Sequence, residues 1–230
     1  METTWLRIQA PFAAFRKFQK TIYHSSEHII TPTSAYGLIL NILGIDNRFN
    51  IELPKLTITI GEIQIPLVNS LYQHVYIKPS NGGNKDKATG INIRQEKIKT
   101  LKQMSYGHNN WCNPKTKEIL TNIDYIIGIK TDDIILNKLN YNIKNSGERY
   151  GLPFLGDNNC LIDSIEIMNK PINAYWFIHY IENDVINSDN YYLSVKIDRK
   201  DNLKTKSLLY IKTEKISFPD NNKCWTTISN

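Results

Sequence analysis

The chain has 230 residues, 41% hydrophobic and 22% charged, the composition of an ordinary globular protein with room for a substantial core in one elaborated domain. Its net charge of +6 makes nucleic acid a reasonable partner, although the visible richness in Ile, Asn and Lys supplies part of that basicity. Cys112, Cys160 and Cys224 are odd in number and far apart, which excludes a zinc framework and a disulfide scaffold. No apolar run approaches the ~18 residues of a membrane span. Arg7 interrupts the first apolar stretch, and Arg16, Lys17 and Lys20 follow, so a secretory signal is excluded and a cytoplasmic protein without membrane contact is expected.

Residues 4–10 alternate strictly and predict a strand. Leu6, Ile8 and Ala10 would face a core, with Trp5, Arg7 and Gln9 on an open face of the kind that RNA-binding sheets present to bases. A half-solvated strand without any ligand gives the same pattern. Residues 11–20 mix three aromatics with three cations and show no clean period. A helix is then well signalled. Thr31 is a candidate N-cap, Pro32 opens the first turn, and Ala35, Leu38, Ile39, Ile42 and Leu43 form an apolar stripe that Gly44 closes. Gly37 inside it costs about 1 kcal/mol relative to alanine, which suggests close approach of another backbone.

Strand patterns follow at 56–60, 63–68 and 71–77, and the character then changes. Residues 78–117 are polar and glycine-bearing, with nine cations (Lys78, Lys85, Lys87, Arg94, Lys97, Lys99, Lys102, Lys115, Lys117) against two acids, Asp86 and Glu96. This excursion carries +7 and the rest of the chain about −1, so the whole net charge sits here. Cations spaced through a flexible segment with Tyr106, His108 and Trp111 interleaved can follow a phosphate backbone while the rings stack on bases. A solvated loop in a lysine-rich protein is the plainer explanation. A strand at 119–129, a short helix at 131–139, a glycine-punctuated loop at 147–159 and strands at 161–167, 175–181, 191–197 and 207–211 complete the pattern. The order predicts an α+β fold of ferredoxin-like type with additions, in a single domain over 1–230.

Several catalytic motifs fail on inspection. His24-Ser25-Ser26-Glu27-His28 matches the letters of an inverted zinc-peptidase site, but Ile29, Ile30 and Pro32 leave no room for the helix that chemistry needs. Gly82-Gly83-Asn84-Lys85 lacks the order of a phosphate-binding loop, and there is no GxSxG. No metal or cofactor is expected. A metal-independent ribonuclease needs only a base and an acid, which His, Tyr and Lys can supply. Lys102, Tyr106 and His108, or Tyr23 and His24, are candidates, and a pure binding site would contain the same residue types.

Arg7-Ile8-Gln9-Ala10-Pro11-Phe12-Ala13-Ala14-Phe15-Arg16 and the run from His28 to Gly44 resemble the start of the CRISPR-associated Cas-five family. Gly151-Leu152-Pro153-Phe154-Leu155-Gly156-Asp157-Asn158-Asn159 is similar to a loop of the branch that includes the myxobacterial DevS proteins and type I-B relatives. The basic excursion falls where that family inserts its thumb. The resemblance implies a RAMP-type, RRM-like fold with a β-hairpin thumb at 78–117 and extra C-terminal strands. It also implies a non-catalytic subunit of a Cascade complex that binds the repeat-derived 5′ handle of crRNA and touches the backbone subunit and the large subunit. Target DNA would pass nearby, at the PAM end. Carried onto this sequence, Phe15, Arg16, Lys17, Thr33, Ser34 and Tyr36 become handle-contacting candidates. Arg94, Lys97, Lys99 and Lys102 fall on the thumb with Tyr106 and His108, and Gly151, Phe154, Gly156 and Asn158 form the loop. One branch of the family cleaves precursor RNA itself, which keeps the ribonuclease as the alternative.

Overall fold

The computed structural model describes residues 3–17, 23–46, 53–77, 111–147, 149, 151–180, 190–197, 204–219 and 222–228, with backbone alone at 74–77 and 111–115. It is an α+β structure dominated by antiparallel sheet. The elements run β1 (Thr3–Ala13), β2 (Phe15–Arg16), β3 (Ser26–Glu27), α1 (Pro32–Ile42), β4 (Leu56–Glu62), β5 (Leu67–Ile77) and β6 (Trp111–Lys130). They continue with α2 (Asp133–Asn145), β7 (Ser164–Met168), β8 (Ala174–His179), β9 (Asn190–Lys196), β10 (Lys206–Ile216) and β11 (Thr226–Ile228). The chain forms two compact units. One comprises Met1–Phe18, Ser25–Asn69 and Glu118–Asn230; the other comprises Gln19–His24 and Ser70–Lys117.

Among the described residues nine strands form one sheet in the order β7-β1-β6-β4-β8-β10-β9, with β5 pairing β6 and β11 pairing β4. The register sets Leu6 opposite Ile127 and Ile8 opposite Tyr125 in the β1–β6 ladder, and Ile58 opposite Ile129 in the β4–β6 ladder. Because strand side chains alternate, these pairings bring Leu6, Ile8, Leu56, Ile58, Tyr125, Ile127 and Ile129 into one core with both helices. One edge of β4 serves two partners: β11 takes Leu56 to Ile58, and β8 takes Gly61 and Glu62.

The sequence signals for α1 act as expected. Thr31 caps the helix, its hydroxyl accepting from the Ser34 amide at 3.2 Å, and Pro32 occupies the first turn, where no donor is needed. At the other end Gly44 takes φ 73°, Ile45 N–H donates to the Leu40 carbonyl and Gly44 N–H to that of Asn41. This is a Schellman closure, which only a residue at ease with positive φ permits cheaply. A further carbonyl, that of Ile42, accepts from Nδ2 of buried Asn142 on α2 at 2.8 Å. α1 lies against β4, β9, β11 and α2, and none of its residues is fully exposed.

Three expectations change. Trp5 does not stand on an open face. It is 7% exposed, because the C-terminal segment lays Phe218 and Trp225 over the sheet, where with Trp176 they form a second core. The ring centroids of Trp5 and Phe218 are 5.0 Å apart and those of Trp176 and Phe218 4.9 Å, both edge-to-face, the favoured aromatic geometry. Secondly, the patterns at 63–68 and 71–77 belong largely to one strand, β5, preceded by a bend. Thirdly, β6 starts at Trp111, inside the stretch assigned to the excursion, and α2 continues to Asn145.

Candidate nucleic-acid interface

The chain turns sharply after β1. Ala14 N–H donates to the Leu155 carbonyl at 3.1 Å, and Phe15 N–H donates to the Ser26 hydroxyl at 2.9 Å. These two bonds pin the 153–160 loop on one side and the short β2–β3 ladder on the other. The loop holds itself through Leu155 N–H to the Cys160 carbonyl, Cys160 N–H to the Asp157 carbonyl, and Asn159 N–H to the Asp157 carboxylate. Gly156 is required there twice over: it adopts φ 78°, and a Cβ would collide with the Ala14 carbonyl oxygen.

This loop and α1 enclose an open cavity of about 570 Å³. The helix contributes Ser34, Gly37 and Asn41, spaced so that they share one face, and the loop contributes Gly151, Phe154 and Asn158. Leu38, Leu152 and Leu161 complete a mostly apolar wall, and among the described residues no acidic side chain lines it. Phe154 is 39% exposed at the cavity, while Asn41 Oδ1 is buried without a hydrogen-bond partner among the described residues. Gly37 does not admit another backbone, as its sequence position suggested. A Cβ there would meet none of the described residues within 4 Å, and Gly37 lines the cavity instead.

Of the residues chosen from sequence, Ser34, Gly151, Phe154, Gly156 and Asn158 meet at this one place. Arg16 is exposed on β2, one residue beyond the corner, and Lys17 lies 3.9 Å from the Glu27 carboxylate. Glu27 is pushed up from the ordinary carboxylate range by burial, which Lys17 partly offsets. Thr33 is engaged with the Ser194 hydroxyl at 2.8 Å, tying the start of α1 to β9. Phe15 and Tyr36 sit differently from a stacking surface. Phe15 is 2% exposed beside Tyr125, and buried Tyr36 donates to the Pro54 carbonyl at 2.8 Å, its phenol pushed up by burial. Both serve packing. Arg94, Lys97, Lys99, Lys102, Tyr106 and His108 lie outside the described residues. Gly37 and Asn41 were missed as site residues, though their spacing from Ser34 by three and seven positions was visible.

Other polar groups are occupied elsewhere. On the opposite face of the sheet Arg7 grips Asp124 through Nε at 3.0 Å and Nη2 at 2.8 Å, with Gln9 on the same carboxylate. The guanidinium expected to meet bases is therefore neutralised within the protein, its pKa raised chiefly by the Asp124 hydrogen bond. His24 and Glu27 of the zinc-peptidase lookalike do not share a helix: Ser26–Glu27 is strand, and His24 N–H donates to the Thr116 carbonyl. Among the described residues no helix is long and apolar enough to cross a membrane.

Comparison with known proteins identifies the fold. The chain superimposes on a chain of a CRISPR RNA-guided surveillance complex with a TM-score of 0.50 at 10% identity, over 96% of each chain. A Cas protein (TM-score 0.44, 10% identity, 92% of this chain and 93% of that one) and a CRISPR protein from Archaeoglobus fulgidus (0.34, 10%, 99% and 92%) are more distant. At such identity the likeness to the surveillance-complex chain is one of fold. No protein-family model and no curated protein matches the sequence.

Proposed function

We propose that this chain is a non-catalytic, cytoplasmic RNA-binding subunit of a CRISPR Cascade complex, of the Cas-five kind and nearest the DevS and type I-B branch. Its ligand on this reading is the 5′ handle of crRNA, and its protein neighbours are the backbone and large subunits. The observation that carries the proposal is the meeting of Ser34, Gly151, Phe154, Gly156 and Asn158 around one cavity. Those residues were selected from two sequence blocks more than a hundred positions apart. The fold likeness to a surveillance-complex chain supports the same reading. So does the order of elements, since β1-α1-β4-β6-α2-β7 with strands arranged β7-β1-β6-β4 is a ferredoxin-like, RRM-type arrangement. Arg16 beside the corner and the +7 segment at 78–117, read as the thumb, would attract the phosphates.

The test is incubation of the full chain with labelled CRISPR repeat RNA in EDTA, run on native and denaturing gels in parallel. A shifted, intact RNA whose affinity falls with added salt is expected. A discrete shorter product would replace this reading with the metal-independent endoribonuclease. Absence of any shift at low salt would overturn RNA binding by the isolated chain.

A further inference from the structure

The ladder between β8 and β10 contains an irregularity that changes the charge of one patch of surface. Lys212 stands opposite Phe177, so regular pairing would set Glu214 opposite Tyr175. One extra residue in β10 sets Lys215 there instead. A side chain holds this bulge. The Thr213 hydroxyl accepts from Trp176 N–H at 2.9 Å and donates to the Glu214 carbonyl at 2.8 Å. The shift gathers two cations around one ring, with Lys212 Nζ 5.0 Å and Lys215 Nζ 5.9 Å from the Tyr175 centroid. Their charges are answered differently. Lys212 reaches Glu62, which lies opposite Tyr175 on β4. Lys215 is exposed, and among the described residues no carboxylate pairs with it.

Tyr175 and Lys215 line an open cavity of about 510 Å³ together with Ile63, Gln64 and Ile65, the last of these 50% exposed. Apolar side chains beside one unanswered ammonium select a particular guest. A nucleic-acid strand needs a row of cations along its phosphates. One ammonium with exposed Glu214 next to it in the chain does not supply that row, and the Tyr175 ring already faces two lysines. A polypeptide with a carboxylate next to an apolar side chain meets both halves of the cavity.

We propose that the cavity beside the β10 bulge is a docking site for an acidic, apolar segment of a partner protein. Lys215 pairs with the carboxylate of that segment, and Ile63 and Ile65 receive its apolar side chain. The bulge creates the site, since a regular ladder would present the Glu214 carboxylate in the same place. This surface shares no residue with the α1–loop cavity, so it stands or falls apart from the RNA-binding reading.

The probe is a fluorescein-labelled peptide of leucine–aspartate repeats, titrated by anisotropy into the full chain. Peptides of leucine–asparagine and of serine–aspartate repeats, and a short oligouridylate, serve as comparisons. The leucine–aspartate peptide should bind roughly tenfold or more tightly than either other peptide, because each of those lacks one half of the match. Lys215→Gln should remove the preference for aspartate over asparagine, and Lys215→Arg should keep it. Lys215→Glu, which restores the charge of a regular ladder, should abolish binding of the aspartate peptide. All three variants change an exposed side chain, so their thermal midpoints should match wild type. Any binding of oligouridylate should be the same in wild type and variants. A leucine–aspartate peptide that fails to bind, or that binds Lys215→Gln as tightly as wild type, would overturn the docking site while leaving RNA binding untouched. Oligouridylate binding lost in Lys215→Glu would overturn it too and give this surface to nucleic acid.

Discussion

On one side of β1, Leu6, Ile8 and Ala10 meet aliphatic neighbours and two helices; on the other, Trp5 meets three aromatic rings while Arg7 and Gln9 share a carboxylate. The helix side is a wide core made by elements adjacent in sequence to the strands they cover. The far side is closed by β8 and by Phe218 and Trp225, which arrive from the end of the chain. RRM-type recognition ordinarily uses the sheet face opposite the helices. Here that face is partly plugged and partly self-neutralised. A cavity of about 570 Å³ lies on the other side, beside α1, where a helix and a glycine-bearing loop meet.

The sharpest way to break this contrast is Trp176→Ala. If the aromatic plug is a true second core, the change should cost about 3–5 kcal/mol in urea denaturation, as large as a deletion in the helix-side core. A loss under 1 kcal/mol would make the plug a surface decoration. A second, smaller effect concerns the helix side, where Glu62 is buried with Lys212 Nζ 2.8 Å from its Oε2. Burial raises this carboxyl to about 7 against the opposing pull of Lys212. A raised pKa favours the folded state most below about 4.5, and that contribution is lost as pH rises through 7, an amount on the order of 3 kcal/mol. Glu62→Gln should flatten that slope in stability measured from pH 4.5 to 8. The smallest effect is expected from Asn142→Ala, which leaves the Ile42 carbonyl without its donor and loosens α2 from α1 for about 1–3 kcal/mol. Its thermal midpoint would report the loss directly.

Local signals explain what the sequence revealed. Thr31, Pro32 and Gly44 set the ends of α1 through bonds to residues within four positions, so they are readable without knowing the fold. The alternation of β1 shows that two faces exist but not what covers the second one. That answer depended on Trp225 and Phe218, in a segment with no pattern of its own. β11 escaped notice for the same reason: three residues become strand only because Leu56 to Ile58 lie beside them. At the cavity, the family resemblance pointed to Ser34 and the loop, whereas Gly37 and Asn41 come into view only once the loop stands opposite them. Phe15 and Tyr36, handle-contacting candidates by resemblance, are buried in the structure. Their aromatic character suits stacking and packing equally, and the burial that decides between the two is not written in the residue type.

The divided edge of β4 has a kinetic side. Residue 58 finds its partner only at residue 226, and β1 finds β6 only after the whole intervening stretch has been made. Such distant ladders raise contact order, so chain closure rather than helix formation limits the rate. During synthesis the strip from Leu56 to Ile58 must wait for the last strand to emerge, exposing an unpaired ladder to neighbours in the meantime. A protein built this way gains from rapid arrival of β11, before that edge finds a wrong neighbour.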